Sequence, residues 1–590
     1  MDKQKITQLV DNQDFKTAKE LILQESEDNK QDIEIQRLLG LCNINMGCND
    51  EALENFSFLI EKNPADALSL YYLAAIHIEK ENFNKAENLL NKVINLRPDY
   101  LDAYKSLCIV YIKEKKYNNV FELEERMLEI NPEDSQIFDI LSAAAIESNK
   151  LNPAVEYLNK AVKITPDNPK YLNKLGLVYF SLGNIQKALE YYDNALSMDN
   201  MNASALYNKG IAFFSIEEFM KASSYLKQAY DIDNKLQYLT AYALSCLKAK
   251  QYKESVQAYE QLISESPDKE NFQYNLACAY DGNNEPDKAI KIIEKLLTFN
   301  LSSIQLKLHL ASLYSRTKRI EAAKILYADL ISSGVTNINI LYEYAVLCAK
   351  TNDTDKAEEI LKKIIAMDAS FFLAYKDLAI IYLSRRFFDQ SLEYFKKAYK
   401  LAPDNKYVIF EFANYFHLMA DFEQAKKLYS KLLKQDDLPV YMLINVAINY
   451  ISMNIMNKAK EILMQLIEKE PQNIQVLFHL AQVYYSEKNY KNARQLLEDA
   501  YTIAPNTEIA NLLAKVYMEQ KEYNSAYALL NLINLAIPNN IAILYDMANC
   551  SYLDKNYQQA KEHIDLILKI LPEHEEAQQL LSRIKEEEIK

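Results

Sequence analysis

The side chains best suited to catalysis or metal binding are few in this chain and stand far apart. The six histidines occupy positions 77, 309, 417, 479, 563 and 574, and no two have the spacing of metal ligands. The seven cysteines, at 42, 48, 108, 246, 278, 348 and 550, include no CxxC pair. The chain also contains no GxGxxG, HExxH or GxSxG motif. We therefore predict a protein that is not an enzyme, with no catalytic residues, no metal and no cofactor.

One short segment is similar to a calcium-binding loop. Residues 281–289 read DGNNEPDKA, but Pro286 stands where that loop requires glycine. The segment is better explained as a turn between two helices.

Composition limits the class of protein and its partners. A hydrophobic content of 49% and a charged content of 25% are typical of a folded chain. The net charge of −15 argues against nucleic-acid binding and against an anionic membrane surface. No apolar signal segment or run of 18 apolar residues is present, and the scattered cysteines are typical of buried free thiols. We predict a cytoplasmic protein without membrane insertion.

A small residue recurs at a nearly constant interval along the chain. Fourteen of the sixteen intervals are 34 residues, and the other two, 222→255 and 493→526, are 33. Such self-similarity is typical of an array of stacked helical repeats. We name this the small-residue series: Ala18, Ala52, Ala86, Val120, Ala154, Ala188, Ala222, Ser255, Ala289, Ala323, Ala357, Ser391, Ala425, Ala459, Ala493, Ala526 and Ala560.

Repeat 15, residues 474–507, illustrates the helical pattern. Counted from Ile474, apolar or small residues stand at positions 4, 7, 8 and 11, which share one face of a first helix. A second such series, at positions 20, 24 and 27, shares one face of a second helix that ends near Pro505. Each repeat is therefore predicted to be helix, turn and antiparallel helix. Positions 8 and 20 are small because the two helices must cross closely there, and a large ring at position 11 fills the space between repeats.

This pattern resembles the tetratricopeptide repeat (TPR), whose motif is W-x2-L-G-x2-Y, A-x3-F and P at period 34. The matching segments are LGLVYFSLGNIQKALEYYDNAL at 175–196 and LAQVYYSEKNYKNARQLLEDAYTIAP at 480–505. The resemblance implies an all-α superhelical solenoid of about 17 stacked helix-turn-helix units, with the first helices lining a concave groove. We expect an N-terminal capping repeat at 1–32, sixteen tandem repeats at 33–572 and a C-terminal capping helix at 573–590.

By the geometry of that family, positions 2, 5, 6, 9, 12 and 13 of each first helix face the groove. Position 5 is often aromatic and position 6 often an amide or an acid, a combination that suits an extended peptide. The alternative is that the rings pack between adjacent first helices and the polar groups only meet water. The candidate partner-binding residues are Tyr207, Asn208, Tyr274, Asn275, Tyr342, Glu343, Asp377, Phe410, Glu411, Asn445, Tyr545 and Asp546.

Charge along these positions is uneven. Repeats 4–6 carry Lys105, Lys113, Lys170 and Lys174, whereas the acids Glu343, Asp377, Glu411 and Asp546 stand in repeats 11–13 and 17. This favours an acidic C-terminal groove for a basic or mixed segment; scattered solvated charge is the alternative. A carboxylate clamp for chaperone tails is not expected, because Ile109 and Ile140 occupy two of its five positions.

These expectations point to a non-enzymatic scaffold that binds a protein or peptide partner in the concave groove. Two alternatives remain open at this point. The chain could be a regulatory or targeting subunit of a larger complex that uses its outer face or ends. It could also be the non-catalytic TPR arm associated with a glycosyltransferase, although only three repeats carry asparagine at position 6.

Overall fold

The computed structural model describes residues 3–24 and 32–589, and every regular element in these ranges is helical. Contacts divide the chain into two compact units, an N-terminal unit of Met1–Leu306 and a C-terminal unit of Lys307–Lys590. Among the described residues, no helix is long and apolar enough to cross a membrane. The predicted all-α architecture of stacked helix-turn-helix units is confirmed in each unit.

Within the described ranges, the N-terminal unit holds the helices of nine repeats in chain order, and the second helix of the fourth is divided into two pieces. They are α1 (Lys3–Asp11), α2 (Phe15–Leu23), α3 (Ile33–Asn45), α4 (Asn49–Lys62), α5 (Ala67–Glu79), α6 (Phe83–Leu96), α7 (Leu101–Lys113), α8 (Tyr117–Glu122), α9 (Glu124–Ile130), α10 (Ser135–Glu147), α11 (Leu151–Ile164), α12 (Pro169–Ser181), α13 (Ile185–Met198), α14 (Ala203–Ser215), α15 (Phe219–Ile232), α16 (Leu236–Lys248), α17 (Tyr252–Glu265), α18 (Glu270–Gly282) and α19 (Pro286–Phe299). The boundary with the C-terminal unit lies within α20 (Ile304–Arg316).

The C-terminal unit continues the same alternation of first and second helices. Its further helices are α21 (Ile320–Ser332), α22 (Ile338–Lys350), α23 (Thr354–Met367), α24 (Phe372–Ser384), α25 (Phe388–Leu401), α26 (Lys406–Leu418), α27 (Phe422–Leu432), α28 (Val440–Ser452), α29 (Met456–Lys469), α30 (Ile474–Ser486), α31 (Tyr490–Ile503), α32 (Thr507–Glu519), α33 (Tyr523–Ala536), α34 (Ile541–Leu553), α35 (Tyr557–Ile570) and α36 (Glu575–Ile589).

Within each unit, a first helix packs on its own second helix, and that second helix packs on the next first helix. Successive first helices also touch each other, as α12 does with α14 and α24 with α26. The first helices therefore form a side-by-side row, which is the arrangement needed to present one surface across several repeats.

The small-residue series lies where the two helices of a repeat cross. All seventeen of its members have 0% exposure. The facing position 8 is equally tight, because a Cβ added to Gly40 would come within 2.8 Å of the Phe56 ring. Ser255 and Ser391 stand in place of alanine with their hydroxyls satisfied, since these donate to the carbonyls of Ala243 and Ala379 across the crossing, at 3.1 and 2.8 Å. The prediction that positions 8 and 20 must be small is confirmed.

Each turn between a first and a second helix contains a residue with left-handed backbone, five residues before the small one. The seventeen φ values lie between 57° and 78°. Lys488 is typical: its N–H bonds the Tyr485 carbonyl and the next N–H bonds the Tyr484 carbonyl, which is the Schellman arrangement that ends a helix. These residues are Gln13, Gly47, Glu81, Lys115, Asn149, Gly183, Glu217, Lys250, Asn284, Lys318, Asn352, Arg386, Ala420, Asn454, Lys488, Lys521 and Lys555.

Most first helices begin with an aspartate or asparagine cap. Asp32, Asn405 and Asn473 each accept two backbone N–H bonds from the first turn. Such a cap contributes about 1 kcal/mol to helix stability. In the N-terminal unit, a cation at position 5 also reaches the aspartate cap of the next repeat, as Arg37 does to Asp66 at 2.8 Å and Lys105 to Asp134 at 2.9 Å.

The expected N-terminal capping repeat, 1–32, lies partly outside the described residues, because positions 1–2 and 25–31 do. The helices α1 and α2 within it pack on each other and on α3. At the other end, α36 packs on α35 and buries Ala577, Leu580 and Ile584, whereas its remaining side is charged.

Candidate partner-binding surface

We define the inner surface as the side chains at positions 2, 5, 6, 9, 12 and 13 of the first helices, counted from the first residue of each. Positions 4, 7 and 8 of the same helices are buried against second helices, as Leu477, Leu480 and Ala481 show. Most inner-surface side chains are half-buried or exposed. This surface is where every sequence-predicted candidate residue lies.

The aromatic rings at position 5 contact the following repeat. Tyr207 lies 4.8 Å, centroid to centroid, from Tyr238, and its hydroxyl accepts a hydrogen bond from Gln237 at 2.9 Å. Phe410 is only 4% exposed and meets Tyr441 edge to face at 5.3 Å. Phe410 thus behaves as a core residue, in agreement with the alternative that these rings pack between first helices.

Other rings of this set keep part of their surface at the inner side. Tyr274 and Tyr545 are half-buried, and the Tyr545 ring lies 5.8 Å from that of His574 at the start of the last helix. The Tyr342 hydroxyl donates to Asp377 at 2.6 Å, which joins α22 to α24. Burial, together with the charge of Asp377, raises the pKa of Tyr342, so this hydroxyl stays protonated and acts as a donor.

The asparagines at position 6 have an internal role that sequence reasoning missed. Asn275 donates to the hydroxyl of Tyr259 at 3.1 Å, and Asn445 donates to Asn414 at 3.1 Å. Asn414 in turn accepts from the hydroxyl of Tyr429 at 2.6 Å. In both places a buried tyrosine at position 24 precedes the asparagine by sixteen residues. The sequence signal for this arrangement is a tyrosine at position 24 that stands sixteen residues before an asparagine at position 6 of the next repeat.

Asn208 is bonded differently, although Tyr192 stands sixteen residues before it. It donates to Asn173 at 3.0 Å, and Asn173 donates to Ser204 at 3.2 Å. The hydroxyl of Tyr192 is buried and has no hydrogen-bond partner among the described residues. Each of the three predicted asparagines therefore donates at least one hydrogen bond within the molecule.

The four acids at position 6 differ in their surroundings. Glu343 is exposed, whereas Asp377 is half-buried and paired with Lys376. Burial raises the pKa of Glu411; Lys376 and a hydrogen bond with Asn414 oppose this rise, and Asp377 adds to it. Burial also raises the pKa of Asp546, against the influence of Lys515. Glu343, Asp377 and Glu411 are the acids of three successive first helices, α22, α24 and α26.

The lysines of repeats 4–6 are largely neutralised by neighbours. Lys105 pairs with Asp102 and Asp134, and Lys170 and Lys174 both pair with Asp139. The inner surface of these repeats is therefore less basic than the lysine positions alone suggest.

Apolar side chains at positions 9 and 12 form a second feature of this surface, which the sequence-based candidates do not include. In seven successive repeats of the N-terminal unit both positions are apolar, and they are half-buried or exposed; Ile109 and Leu177 are 41% and 38% exposed. The signal in the sequence is an apolar pair three residues apart in each of these seven repeats. The pairs are Leu41 and Ile44, Ala75 and Ile78, Ile109 and Ile112, Ala143 and Ile146, Leu177 and Phe180, Ile211 and Phe214, and Leu244 and Leu247.

The C-terminal unit has an apolar pocket at the same positions, between α22 and α24. Its volume is about 250 Å³. Val346, Ala349 and Ile380 form partly exposed walls over a buried floor that includes Ile381, and Asp377 and Lys350 stand among the lining side chains. An apolar recess with a few polar groups at its edge has the general character of a ligand-binding site.

The groups that could do chemistry are dispersed or buried. No group of three or more His, Cys, Asp or Glu side chains that could hold a metal ion occurs within residues 3–24 and 32–589. Five of the seven cysteines are buried as free thiols, as predicted. Burial raises the pKa of Cys42 to about 11 and that of Cys108 to about 12, so these thiols are protonated and unreactive.

Family models identify the repeats directly. Models described as tetratricopeptide repeat match residues 45–108, 247–301, 338–371, 456–516, 485–540 and 517–584, and one described as TPR repeat matches 144–183 and 176–216. Together these matches cover more than half of the chain. The chain therefore belongs to the tetratricopeptide repeat family, as the sequence predicted.

Several solved structures are similar to the chain at low TM-score. A chain of the APC/C hetero-tetramer Cut9-Hcn1 gives 0.39 at 15% identity, covering 96% of this chain and 98% of that chain. Yeast Tom70 gives 0.28 at 16% identity, covering 77% and 96%. MamA from Desulfovibrio magneticus gives 0.27 at 21% identity, covering 29% and 96%. No curated protein matches the chain. The family assignment rests on the repeat models.

Proposed function

We propose that this protein is a non-enzymatic scaffold that binds an extended segment of a protein partner along the inner surface of its first helices. The observation that carries the proposal is the row of apolar pairs at positions 9 and 12, which remain partly exposed from repeat to repeat. Partly exposed apolar side chains aligned across several repeats are typical of a protein-binding surface.

The regular spacing of the repeats favours an extended partner over a compact ligand. Each repeat adds one copy of the same surface, so a long segment makes many similar contacts on a preformed frame. Because the frame is already ordered, only the partner loses conformational freedom on binding.

Charge at position 6 supports a basic or mixed segment in repeats 11–13. Glu343, Asp377 and Glu411 stand in three successive first helices, and Lys376 pairs with only one of them. We expect binding of the partner to weaken with added salt, since exposed charges are screened. Binding that is insensitive to salt and to the double change Glu343→Lys and Glu411→Lys would contradict this part of the proposal.

One observation favours the alternative of a subunit held through its outer face. Residues 523–545 contain no Asp, Glu, Lys or Arg, and the second helix α33 lies within this run. On α33, Leu532 and Leu535 are 53% and 70% exposed. A partner held there would form a permanent, salt-resistant complex. The glycosyltransferase-arm alternative has less support, because Asn275 and Asn445 are already bonded within the molecule.

The division into a capping repeat at 1–32, sixteen repeats at 33–572 and a capping helix at 573–590 is part of the same proposal, as is a cytoplasmic location. Both rest on the sequence pattern and composition.

The test is purification of the intact chain from its own cells at low and moderate salt, with identification of co-purifying proteins. The same purification is repeated with two inner-surface variants, Leu177→Lys and Glu343→Lys, and with Leu535→Lys on the outer face. A reproducible partner lost with either inner-surface variant and kept with Leu535→Lys supports the inner surface. The opposite pattern supports the outer face and contradicts the proposed function.

A further inference from the structure

We propose that the apolar pocket between α22 and α24 holds one large apolar side chain of the partner, from a residue that lies close to a lysine or arginine. This inference rests on the proposed function, because it assigns a specific anchor to the same inner surface. The occupant is thus a protein segment that carries an apolar residue and a basic residue close together.

The size of the pocket selects a side chain over a small-molecule ligand. Its volume of about 250 Å³ lies below the roughly 300–1,000 Å³ typical of sites for small molecules and cofactors. It exceeds the roughly 150 Å³ of an engineered cavity that accepts benzene. One aromatic or branched aliphatic side chain therefore fits.

The lining favours an apolar occupant. Val346 and Ala349 stand three residues apart on α22, and Ile380 faces them from α24. These three residues are partly exposed, whereas Ile381 below them is 4% exposed and belongs to the core. An apolar side chain seated here would remove the exposed parts of the three walls from water, which is the main favourable term in such contacts.

The charge beside the pocket favours a basic neighbour for that side chain. Glu343 stands one helical turn before Val346 on α22, is exposed, and forms no ion pair with any residue in the described ranges. Asp377 lines the pocket, but it is already paired with Lys376 and accepts a hydrogen bond from the Tyr342 hydroxyl. Glu343 is therefore the carboxylate with which a lysine or arginine of the partner would pair.

Lys350 restricts the direction of the segment. It lines the pocket at the end of α22, seven residues after Glu343 and so two turns further along the helix. A basic residue of the partner would be repelled at this end and attracted at the Glu343 end. The segment should therefore place its cation toward the N-terminal end of α22.

The test uses the full chain and a library of random peptides displayed on phage. We expect the enriched peptides to share one Leu, Ile, Met, Phe or Trp with a Lys or Arg within a few residues. Synthetic peptides with the enriched sequences are then measured by fluorescence anisotropy against wild type and variants. Replacing the shared apolar residue by Ala should weaken binding about ten- to a hundredfold, given the cost of losing one buried large side chain.

Two variants of the chain test the two halves of the proposal. Ala349→Phe fills the pocket from its wall and should abolish binding, whereas the matched control Ala366→Phe, at an exposed position of the second helix α23, should leave binding unchanged. Glu343→Lys should weaken the binding of basic peptides by about tenfold at low salt and by less at high salt. Glu461→Lys, on the second helix α29, is its matched control. Circular dichroism verifies that each variant is folded.

The outcomes separate this inference from the proposed function. The pocket proposal is overturned if the peptides bind Ala349→Phe as tightly as wild type, or if they share no apolar residue. In that case inner-surface binding still stands if Ile448→Arg on α28 abolishes their binding. Peptides that are acidic overturn the role of Glu343. If no peptide is enriched by the wild-type chain, the pocket proposal fails together with the expectation that the inner surface binds extended segments.

Discussion

At the residue scale, the buried tyrosines of the second helices connect the core to the inner surface. Tyr259 and Tyr429 are 1% exposed, yet their hydroxyls reach Asn275 and Asn414 on first helices. A buried hydroxyl without such a partner costs free energy, because it has lost its bonds to water. Tyr192, at the equivalent position of repeat 6, is in that situation.

This contrast predicts opposite effects of the same substitution. Tyr192→Phe removes an unpaired buried hydroxyl and should raise the free energy of unfolding slightly or leave it unchanged. Tyr429→Phe removes a bonded hydroxyl and leaves Asn414 with one partner fewer. This change should lower the free energy of unfolding by about 1 kcal/mol. Urea unfolding of both variants, followed by circular dichroism, checks the prediction. A loss for Tyr192→Phe as large as that for Tyr429→Phe would contradict it.

The left-handed turn residues allow a second prediction at this scale. Gly183 and Ala420 occupy the same position of their repeats, with φ of 78° and 58°. A side chain is disfavoured in this backbone region, so Gly183→Ala should destabilise the protein by about 1 kcal/mol. Ala420→Gly should stabilise the protein by somewhat less than about 1 kcal/mol, because glycine loses more conformational entropy than alanine on folding. Thermal unfolding of the pair measures both, and a shift of both variants in the same direction would disprove the explanation.

Particular residues show what the sequence could predict at this scale. The 34-residue period correctly placed the small-residue series at the helix crossings and the candidate residues on first helices. It could not assign partners, because the bonds of Tyr342 to Asp377 and of Asn275 to Tyr259 join different helices. Phe410 illustrates the limit: its position is that of a groove residue, but contact with Tyr441 of the next repeat buries it.

At the scale of helices, α24, α26 and α27 carry the polar groups that interact with the carboxyl group of Glu411. Lys376, Asp377 and Asn414 are the polar side chains that influence its pKa, and Glu411 in turn affects Tyr429. Burial raises the pKa of Glu411 above the value of about 4.3 that an unfolded chain has. The folded state therefore binds this proton more tightly than the unfolded state does.

The sign of the pH dependence follows from that shift. As pH falls from neutral through the raised pKa, Glu411 becomes protonated first in the folded state, and its destabilising effect is relieved. Glu411→Gln should thus stabilise the protein at pH 7, and its advantage over wild type should shrink as pH approaches 4. Melting temperatures across this range test the prediction, with Glu343→Gln as the control at an exposed carboxylate. An advantage that grows toward low pH would contradict it.

Overpacking at one crossing should have a local effect in such a fold. Ala357 of α23 is 0% exposed, so Ala357→Leu should cost roughly 1–3 kcal/mol. Because stability in repeat arrays is a sum of neighbouring terms, backbone hydrogen exchange should accelerate in α22, α23 and α24 before it does in α3 or α35. Lys363→Leu, on the exposed side of α23, is the control. Uniform acceleration along the chain, or none, would contradict the prediction.

The pattern of helices was predictable from sequence, whereas the pocket was not. The helix positions follow from the period of the apolar residues. The turn after each first helix is predictable because the segment between the two helices is short and of constant length. The pocket depends on how far α22 and α24 stand apart above Ile381, which results from the packing of both helices on α23. Val346, Ala349 and Ile380 taken one at a time are ordinary apolar residues of a first helix.

At the scale of the whole molecule, charge and apolar surface point to different modes of association. The net charge of −15 and the acids of repeats 11–13 favour a basic or mixed partner whose binding depends on salt. The uncharged run 523–545 and the exposed leucines of α33 favour a salt-resistant contact. The two surfaces lie on different helices of the repeats, so a single-residue change in each can separate their contributions.

The measurement that tests the central claim most directly is hydrogen exchange of the full chain, free and bound to the partner that co-purifies with it. We predict that binding slows exchange in the first helices that carry the apolar pairs, from α3 to α16, and in α22, α24 and α26, and leaves the second helices at their rates in the free protein. Protection confined to second helices such as α33, or to the two ends of the chain, would contradict the claim that the inner surface binds the partner.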